Sequence, residues 1–496
     1  MLRKSINKLT KSGGSLSQRT VRGGFWVFSL RIVQQIFGLA RLLILARILA
    51  PHDFGLMGIA LLAMSTLETF SQTGFQAALI QKKENIESYL DAAWTVLILR
   101  GLLLFGILYF AAPFVASFFD TPEAKPIIQV VGLSVLFQAF TNIGVIYFQK
   151  ELEFNKEFIY QFAGTLSDFI VAVSAVLILK NVWALVFGML AGNAVRCIIS
   201  YLIHPYRPRL SRDLAKAKEL FGFGKWVLGS SILIFLLTQG DDIFVGKLLG
   251  ATALGFYQMA YRISNMPATE ITHVISRVTF PVYSKLQNDI PKLREAYLKV
   301  LQVTAFLSFP VAGLIFVLAP DFTKIFLGEK WMPMVPAMQV LCLFGVTRAL
   351  NGTMGSIFQG IGIPKVITFG AGVQLLILIA IIYPMTSKWG ITGTSFAVII
   401  PNIMVLIYLT QKLILYMDYK LVYFISFLFP PLVGTTIECI AMAFLKKLGN
   451  GDLISFLLSI LSGFGLYLIV MYTMDKAFNY DLKNNLMKLF KGARTG

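Results

Sequence analysis

The chain has 496 residues, of which 56% are hydrophobic and only 14% charged, with a net charge of +19 and a mean hydropathy of +0.73. Soluble domains carry roughly 25% charged residues, so this composition excludes a soluble globular protein. The cations sit in short loops between apolar runs rather than on one continuous face, which argues against a nucleic-acid partner.

Apolar runs of about 20 residues, the length that crosses a bilayer as a helix, recur along the whole chain. They predict an all-α polytopic membrane protein of about fourteen transmembrane helices. The first half carries helices over 24–49, 53–80, 91–118, 125–149, 156–180 and 183–204. The second half carries 222–249, 253–284, 296–319, 333–359, 364–386 and 389–411, and two more follow at 420–445 and 453–474. The first apolar run is too long for a signal-peptide core and continues as a full span.

In chain order, the first helix places Arg31, Gln34, Gly38 and Arg41 on one face. The second carries a polar stripe of Ser65, Glu68, Thr69, Gln72 and Gln76. Asp168 is central in the fifth and Arg196 lies in the sixth. Residues 205–224 form the most basic loop, with Arg207, Arg209, Arg212, Lys216 and Lys218. There Leu210, Leu214, Ala217, Leu220 and Phe221 share a helical face, which predicts an amphipathic helix lying on the inner membrane surface. The seventh helix holds Thr238, Gln239, Asp241 and Asp242. The eighth, broken by Pro267, holds Arg262, Asn265 and Glu270, and the tenth holds Arg348 in mid-span.

Two stretches about 200 residues apart read alike. Leu45-Ala46-Arg47-Ile48-Leu49-Ala50-Pro51 runs on to Phe54-Gly55 and Ala60. Val245-Gly246-Lys247-Leu248-Leu249-Gly250-Ala251 runs on to Leu254-Gly255 and Ala260. Gln129-Val130 with Phe148-Gln149 is echoed by Gln339-Val340 with Phe358-Gln359, and Trp183-Ala184-Leu185 by Trp389-Gly390-Ile391. Each copy has an even number of spans, so both enter the membrane in the same direction and the repeat is parallel, not inverted. The expected organisation is a six-helix bundle over 1–204, a cytoplasmic linker over 205–224, a second six-helix bundle over 222–411 and two additional helices over 420–474. Lysine and arginine concentrate in the loops on the side of both termini, which places the termini in the cytoplasm of a cell-membrane protein.

A charge inside a bilayer costs several kcal/mol unless paired or solvated, so intramembrane charges are the functional candidates. Guanidinium groups offer forked donors to phosphate. Arg31, Arg41, Arg262 and Arg348, with Gln72 and Gln239, are therefore the candidate substrate contacts. Asp241, Asp242, Glu68, Glu270 and Asp168 are the candidates for ion coupling or for charge pairing with those arginines. Arg47 and Lys247 sit near helix ends, where snorkelling to the interface accounts for them. The three cysteines, Cys197, Cys342 and Cys439, lie far apart in apolar segments, with neither disulfide nor metal spacing. No nucleophile motif or cofactor signature appears, so neither an enzyme nor a bound cofactor is expected.

Gln239 through Gly250, then Ala253-Leu254-Gly255-Phe256-Tyr257 and Ala260-Tyr261-Arg262-Ile263, resembles the polysaccharide-transporter branch of the multidrug/oligosaccharidyl-lipid/polysaccharide exporter superfamily. Val274-Ile275-Ser276-Arg277-Val278 through Phe280-Pro281 resembles its lipopolysaccharide-biosynthesis, colanic-acid-exporter-like subgroup. The resemblance implies two six-helix bundles around a central cavity, and a flippase that carries polyprenyl-phosphate- or pyrophosphate-linked saccharide to the outer leaflet by alternating access. Its implied partners are the polyprenyl-linked saccharide, membrane lipids, a polysaccharide polymerase and glycosyltransferases. A cation-coupled multidrug antiporter of the same superfamily and a membrane enzyme of glycan polymerisation are the alternatives. The short outer loops speak against the enzyme.

Overall fold

A computed structural model of the chain describes residues 16–82, 86–448, 452–478 and 480, and among them it is helical with no strand. Ten helices are long and apolar enough to cross a membrane, or eleven if one bent pair counts as a span. The protein is thus an all-α, multi-pass membrane protein. Phe110, Phe114, Ile178, Leu202 and Leu415 stand on its outer surface, as expected where the surrounding medium is hydrocarbon.

By contacts the chain falls into two units. The first comprises Met1–Gln239 with Gly250–Gly255, and the second Gly240–Leu249 with Phe256–Gly496.

The first unit contains α1 (Leu16–Ile48), α2 (Pro51–Phe70), α3 (Phe75–Gln81), α4 (Glu87–Phe118), α5 (Ala124–Val131), α6 (Leu133–Ala139), α7 (Ile146–Lys150), α8 (Phe154–Leu179) and α9 (Trp183–Ile203). Here α8 packs against α9 and α1, while α5 packs between α2 and α4. Pro51 opens α2 at its first turn, where a missing N–H costs nothing. Asp53 accepts from the Ala50 N–H at 2.9 Å and from the Val182 N–H at 3.0 Å, joining the start of α2 to the start of α9.

The 53–80 span expected as one helix is divided: Gly74, at φ 67°, ends the turn after α2 and starts α3. Its left-handed conformation is open to glycine without the Cβ penalty. The 125–149 span is also divided, and bends by 68° between Ala124–Ala139 and Ile143–Lys150. Asn142, fully buried, sits at the bend. Its Oδ1 accepts from the Gly144 N–H at 2.9 Å, its Nδ2 donates to the Tyr206 carbonyl at 2.7 Å, and its N–H donates to Ser200 Oγ at 2.9 Å. The carbonyls freed by the bend are also met: Trp94 Nε1 donates to Thr141 O at 3.2 Å and Tyr201 OH to Phe140 O at 2.8 Å. Irregular backbone inside an apolar protein persists only when satisfied in this way.

The first part of the linker, residues 204–213, has no regular secondary structure. Pro205 and Pro208 disfavour a helix there, and α4 supplies the backbone with other partners. Asp91 Oδ1 accepts from the Arg209 N–H at 2.8 Å and from Tyr206 OH at 2.7 Å, and Thr95 Oγ1 accepts from the Ser211 N–H at 2.9 Å. The helix begins at Leu214, and the side chains expected on its apolar face, Leu214, Ala217, Leu220 and Phe221, lie outside the described residues.

The remaining helices are α10 (Leu214–Leu286), α11 (Ile290–Phe322), α12 (Val335–Gly360), α13 (Lys365–Met417), α14 (Leu421–Leu448) and α15 (Leu453–Phe478). With 73 and 53 residues, α10 and α13 each exceed a single crossing. Each is interrupted by one glycine outside helical geometry, Gly250 at φ 82° and Gly390 at φ 58°. In the second unit α12 packs against α11 and α13, and α14 against α11 and α15. Its main core gathers Tyr283, Tyr297, Leu301, Met354, Phe358 and Leu409.

Around Gly55 and Gly255 the repeated segments meet. A Cβ on Gly55 would lie 1.7 Å from the Ala251 carbonyl oxygen, and one on Gly255 2.0 Å from the Pro51 carbonyl oxygen. His52 and Thr252 are also in contact, at 3.3 Å.

Candidate functional site

Two sets of intramembrane polar residues stand out, one in each unit. In the first, the Arg41 Nε of α1 meets Asp168 Oδ2 of α8 at 3.1 Å. Arg41 Nη2 also lies 3.5 Å from the Leu185 carbonyl of α9. The helices approach closely because small residues face them: a Cβ on Gly188 would lie 2.9 Å from Asp168 Oδ1, and one on Gly164 2.4 Å from Arg196 Cγ. Arg196 donates to Asn193 Oδ1 at 3.1 Å. Sequence reading assigned Arg41 to substrate and Asp168 to coupling or pairing; the structure brings the two together.

Glu68 and Gln72 lie at the end of α2. There Arg100 of α4 donates from Nη2 to the Glu68 carbonyl at 2.9 Å, and from Nε to the Ser71 carbonyl at 2.8 Å. A cation on the orphan carbonyls of a helix C-terminus satisfies them and opposes the helix dipole. Arg100 was not among the sequence candidates, although a cation inside an apolar run was signal enough. Gln72 is exposed beyond this cap.

In the second unit Asp241, 3% exposed, accepts from Tyr257 OH at 2.6 Å. Asp242 accepts from Gln258 Nε2 at 3.0 Å. These bonds tie α10 before Gly250 to α10 after it. Asp241 Oδ1 is buried without a hydrogen-bond partner. Arg348 of α12 donates to Tyr261 OH at 3.3 Å, one turn from Tyr257. The aspartates thus pair with a phenol and a carboxamide; the arginine of this set goes to a tyrosine. Tyr257 and Gln258 carry this chemistry without having been singled out as site residues. Their spacing of sixteen residues from the aspartates across a glycine break gave no periodic signal.

Arg31 and Gln239 are half-buried on α1 and α10, Glu270 is half-buried on α10 and Arg262 is exposed there. Glu438, on α14, is 0% exposed, and neither carboxyl oxygen has a hydrogen-bond partner among the described residues. Among the described residues no group of three or more His, Cys, Asp or Glu is placed to hold a metal ion.

Residues 44–336 match the family model for polysaccharide biosynthesis proteins. The lipopolysaccharide biosynthesis protein WzxC of Escherichia coli K12 is 28% identical over 347 residues, 70% of each chain. Among solved structures, the inward closed conformation of the lipid II flippase MurJ superposes with a TM-score of 0.73 at 16% identity. It covers 92% of this chain and 99% of its own. An inward-facing multidrug resistance MATE family transporter of the MOP superfamily superposes with a TM-score of 0.58 at 18% identity, over 78% of this chain and 94% of its own.

Proposed function

Because the chain belongs to the polysaccharide biosynthesis protein family, we propose that it is a flippase for lipid-linked oligosaccharide. It moves polyprenyl-phosphate- or pyrophosphate-linked saccharide units from the cytoplasmic to the outer leaflet by alternating access, and it catalyses no covalent step. The name of the relative WzxC and the fold shared with a lipid II flippase support this reading.

The observation that carries it is the Arg41–Asp168 pair within apolar helices. Asp168 Oδ2 lies 3.1 Å from Nε and holds the guanidinium in place electrostatically. A planar cation held in this way suits a phosphate or pyrophosphate linker. Arg31, Arg262 and Arg348 are proposed to share that task with Gln72 and Gln239.

Counting α10 and α13 as two spans each, divided at Gly250 and Gly390, and the bent segment as one, gives the proposed fourteen. The even number of spans in each copy supports a parallel repeat. On the proposed orientation both termini and residues 204–213 lie in the cytoplasm.

The pairing of Asp241 and Asp242 with Tyr257 and Gln258 instead of arginine favours cation coupling of the transport step. Carboxyl groups held by neutral partners can exchange a proton or hold a sodium ion. A polymerase and glycosyltransferases are the proposed protein partners.

The test is translocation of fluorescently labelled polyprenyl-pyrophosphate saccharide by the purified protein in proteoliposomes. Alanine at Arg31, Arg41, Arg262 or Arg348 should slow translocation while leaving insertion intact, and lysine should restore it only in part. A wild-type protein that moves no such lipid, or four alanine variants of full activity, would overturn the reading.

A further inference from the structure

The bent segment of the first unit walls a cavity of about 310 Å³, just inside the size range of small-molecule sites. It is bounded by α3, α4, α6, α7 and α8, and its lining is rich in carboxamides: Gln76, Gln138, Asn142, Gln149 and Gln161. Glu157 supplies one carboxylate, and Phe75 and Tyr160 supply aromatic surface. Among the described residues, no lysine or arginine lines it.

We propose that this cavity is a subsite for a single neutral sugar residue of the transported saccharide. The inference rests on the flippase reading and adds to it a second location for the cargo, separate from the arginines. A carboxamide both donates and accepts hydrogen bonds, and so does a sugar hydroxyl. A phosphate only accepts, and is bound by cationic forks that this lining lacks. The chemistry therefore selects the sugar and rejects the linker.

The amides are also available. The side-chain carboxamides of Gln76, Gln138 and Gln161 make no hydrogen bond within the described residues. Gln149 instead donates to Glu157 Oε1 at 2.7 Å, which fixes one wall. The opposite wall is held at the bend by Asn142, whose amide group and N–H are all engaged. A cavity with rigid walls and unengaged amides is preorganised for a polar ligand, so little ordering cost falls on binding. On the proposed orientation it lies at the cytoplasmic end of the spans, the side on which the saccharide is presented.

The test uses the full chain in lipid nanodiscs, with glucose, galactose, rhamnose and N-acetylglucosamine as free probes in saturation-transfer NMR. At least one should receive saturation from the wild type. The double variant Gln138→Leu/Gln161→Leu, close in volume and matched in thermal unfolding, should reduce that signal at least tenfold, whereas Gln138→Asn should keep part of it. No transfer to any of the four sugars, or transfer unchanged in the double leucine variant, overturns the subsite.

Translocation of the source cell's own polyprenyl-linked saccharide, measured in parallel, separates the two claims. Equal rates for wild type and the double variant sink the subsite and leave the flippase standing. A wild type that moves none of it sinks the flippase reading and the subsite together. A slowed double variant with wild-type binding of inorganic pyrophosphate supports both.

Discussion

Gly55 and Gly255 occupy the same position in two copies of one sequence, and each is pressed against the backbone of the other copy. A Cβ on the first would meet the Ala251 carbonyl oxygen and on the second the Pro51 carbonyl oxygen, at 1.7 and 2.0 Å. Neither neighbour is the far end of a flexible side chain, so the backbone itself must move to admit a methyl group. Gly55→Ala and Gly255→Ala should each destabilise the protein by about 1–3 kcal/mol, the range for overpacking. Gly355, with open space around its Cβ position, is the control: Gly355→Ala should raise helix stability by up to about 1 kcal/mol. Thermal unfolding of the three variants in one detergent checks the contrast.

The Arg41–Asp168 pair predicts non-additivity. Asp168→Asn or Arg41→Gln alone removes one member of the pair and leaves the other charge among apolar helices, while the double variant removes both. Both groups keep some solvent access, which lowers the cost of each single change. A double-mutant cycle on unfolding should show a coupling of roughly 1–3 kcal/mol. The double variant should nonetheless lose translocation, since the guanidinium is gone.

Tyr257→Phe removes the hydroxyl bonded to Asp241, whose other carboxyl oxygen is already without a partner. An unsatisfied buried acceptor costs about 1–3 kcal/mol. The variant should unfold at lower temperature, and Asp241→Leu in the same background should recover part of the loss. Stability unchanged by Tyr257→Phe would show that the bond contributes nothing.

Glu438 predicts the opposite sign. Both of its oxygens are buried and without partners, so an apolar replacement removes a desolvation penalty without breaking a bond. Glu438→Leu should raise the unfolding temperature, by the equivalent of about 1–3 kcal/mol. A fall would reveal a partner for the carboxyl.

His204 links stability to pH. Its ring stacks on Tyr147 with an interplanar angle of 4° and accepts the Tyr206 N–H at Nδ1, 3.1 Å away. Burial, then the nearby Lys156 charge, pushes its pKa below the usual 6.5. Between the two values the unfolded chain binds more protons than the folded one, so stability rises with pH through that window. It should fall as pH drops below about 6.5, where protonation also removes the Nδ1 acceptor. His204→Asn should flatten the dependence between about pH 5 and 7, as read from unfolding temperature against pH.

Much of the fold is legible in the sequence because hydrocarbon imposes one rule: apolar runs become helices. The duplicated Arg47–Gly55 and Lys247–Gly255 segments and the block around Asp241 are visible for the same reason, since each is a local string. What the sequence hides is what depends on distant partners. The bend at Asn142 lies in a run that reads as continuous, and only Trp94, Ser200, Tyr201 and Tyr206 make it permissible. The irregular first part of the linker was foreshadowed by Pro205 and Pro208, but the periodic leucines outweighed them. The partners of Asp241 and Asp242 could not be named because α10 turns at Gly250 between donor and acceptor.

The bent segment has a consequence for biogenesis. Its two arms, Ala124–Ala139 and Ile143–Lys150, are about 24 and 12 Å long at the helical rise, against a hydrocarbon thickness of about 30 Å. Neither arm can cross alone. The groups that hold the arms together come in part from Ser200, Tyr201 and Tyr206, 58 to 64 residues further along the chain. The nascent chain therefore leaves this segment unfinished in the membrane until α9 has emerged. In a Ser134→Cys variant, truncation just before α9 should strand the segment at the interface, in reach of membrane-impermeant thiol reagents, whereas in the complete chain position 134 is buried and closed to them.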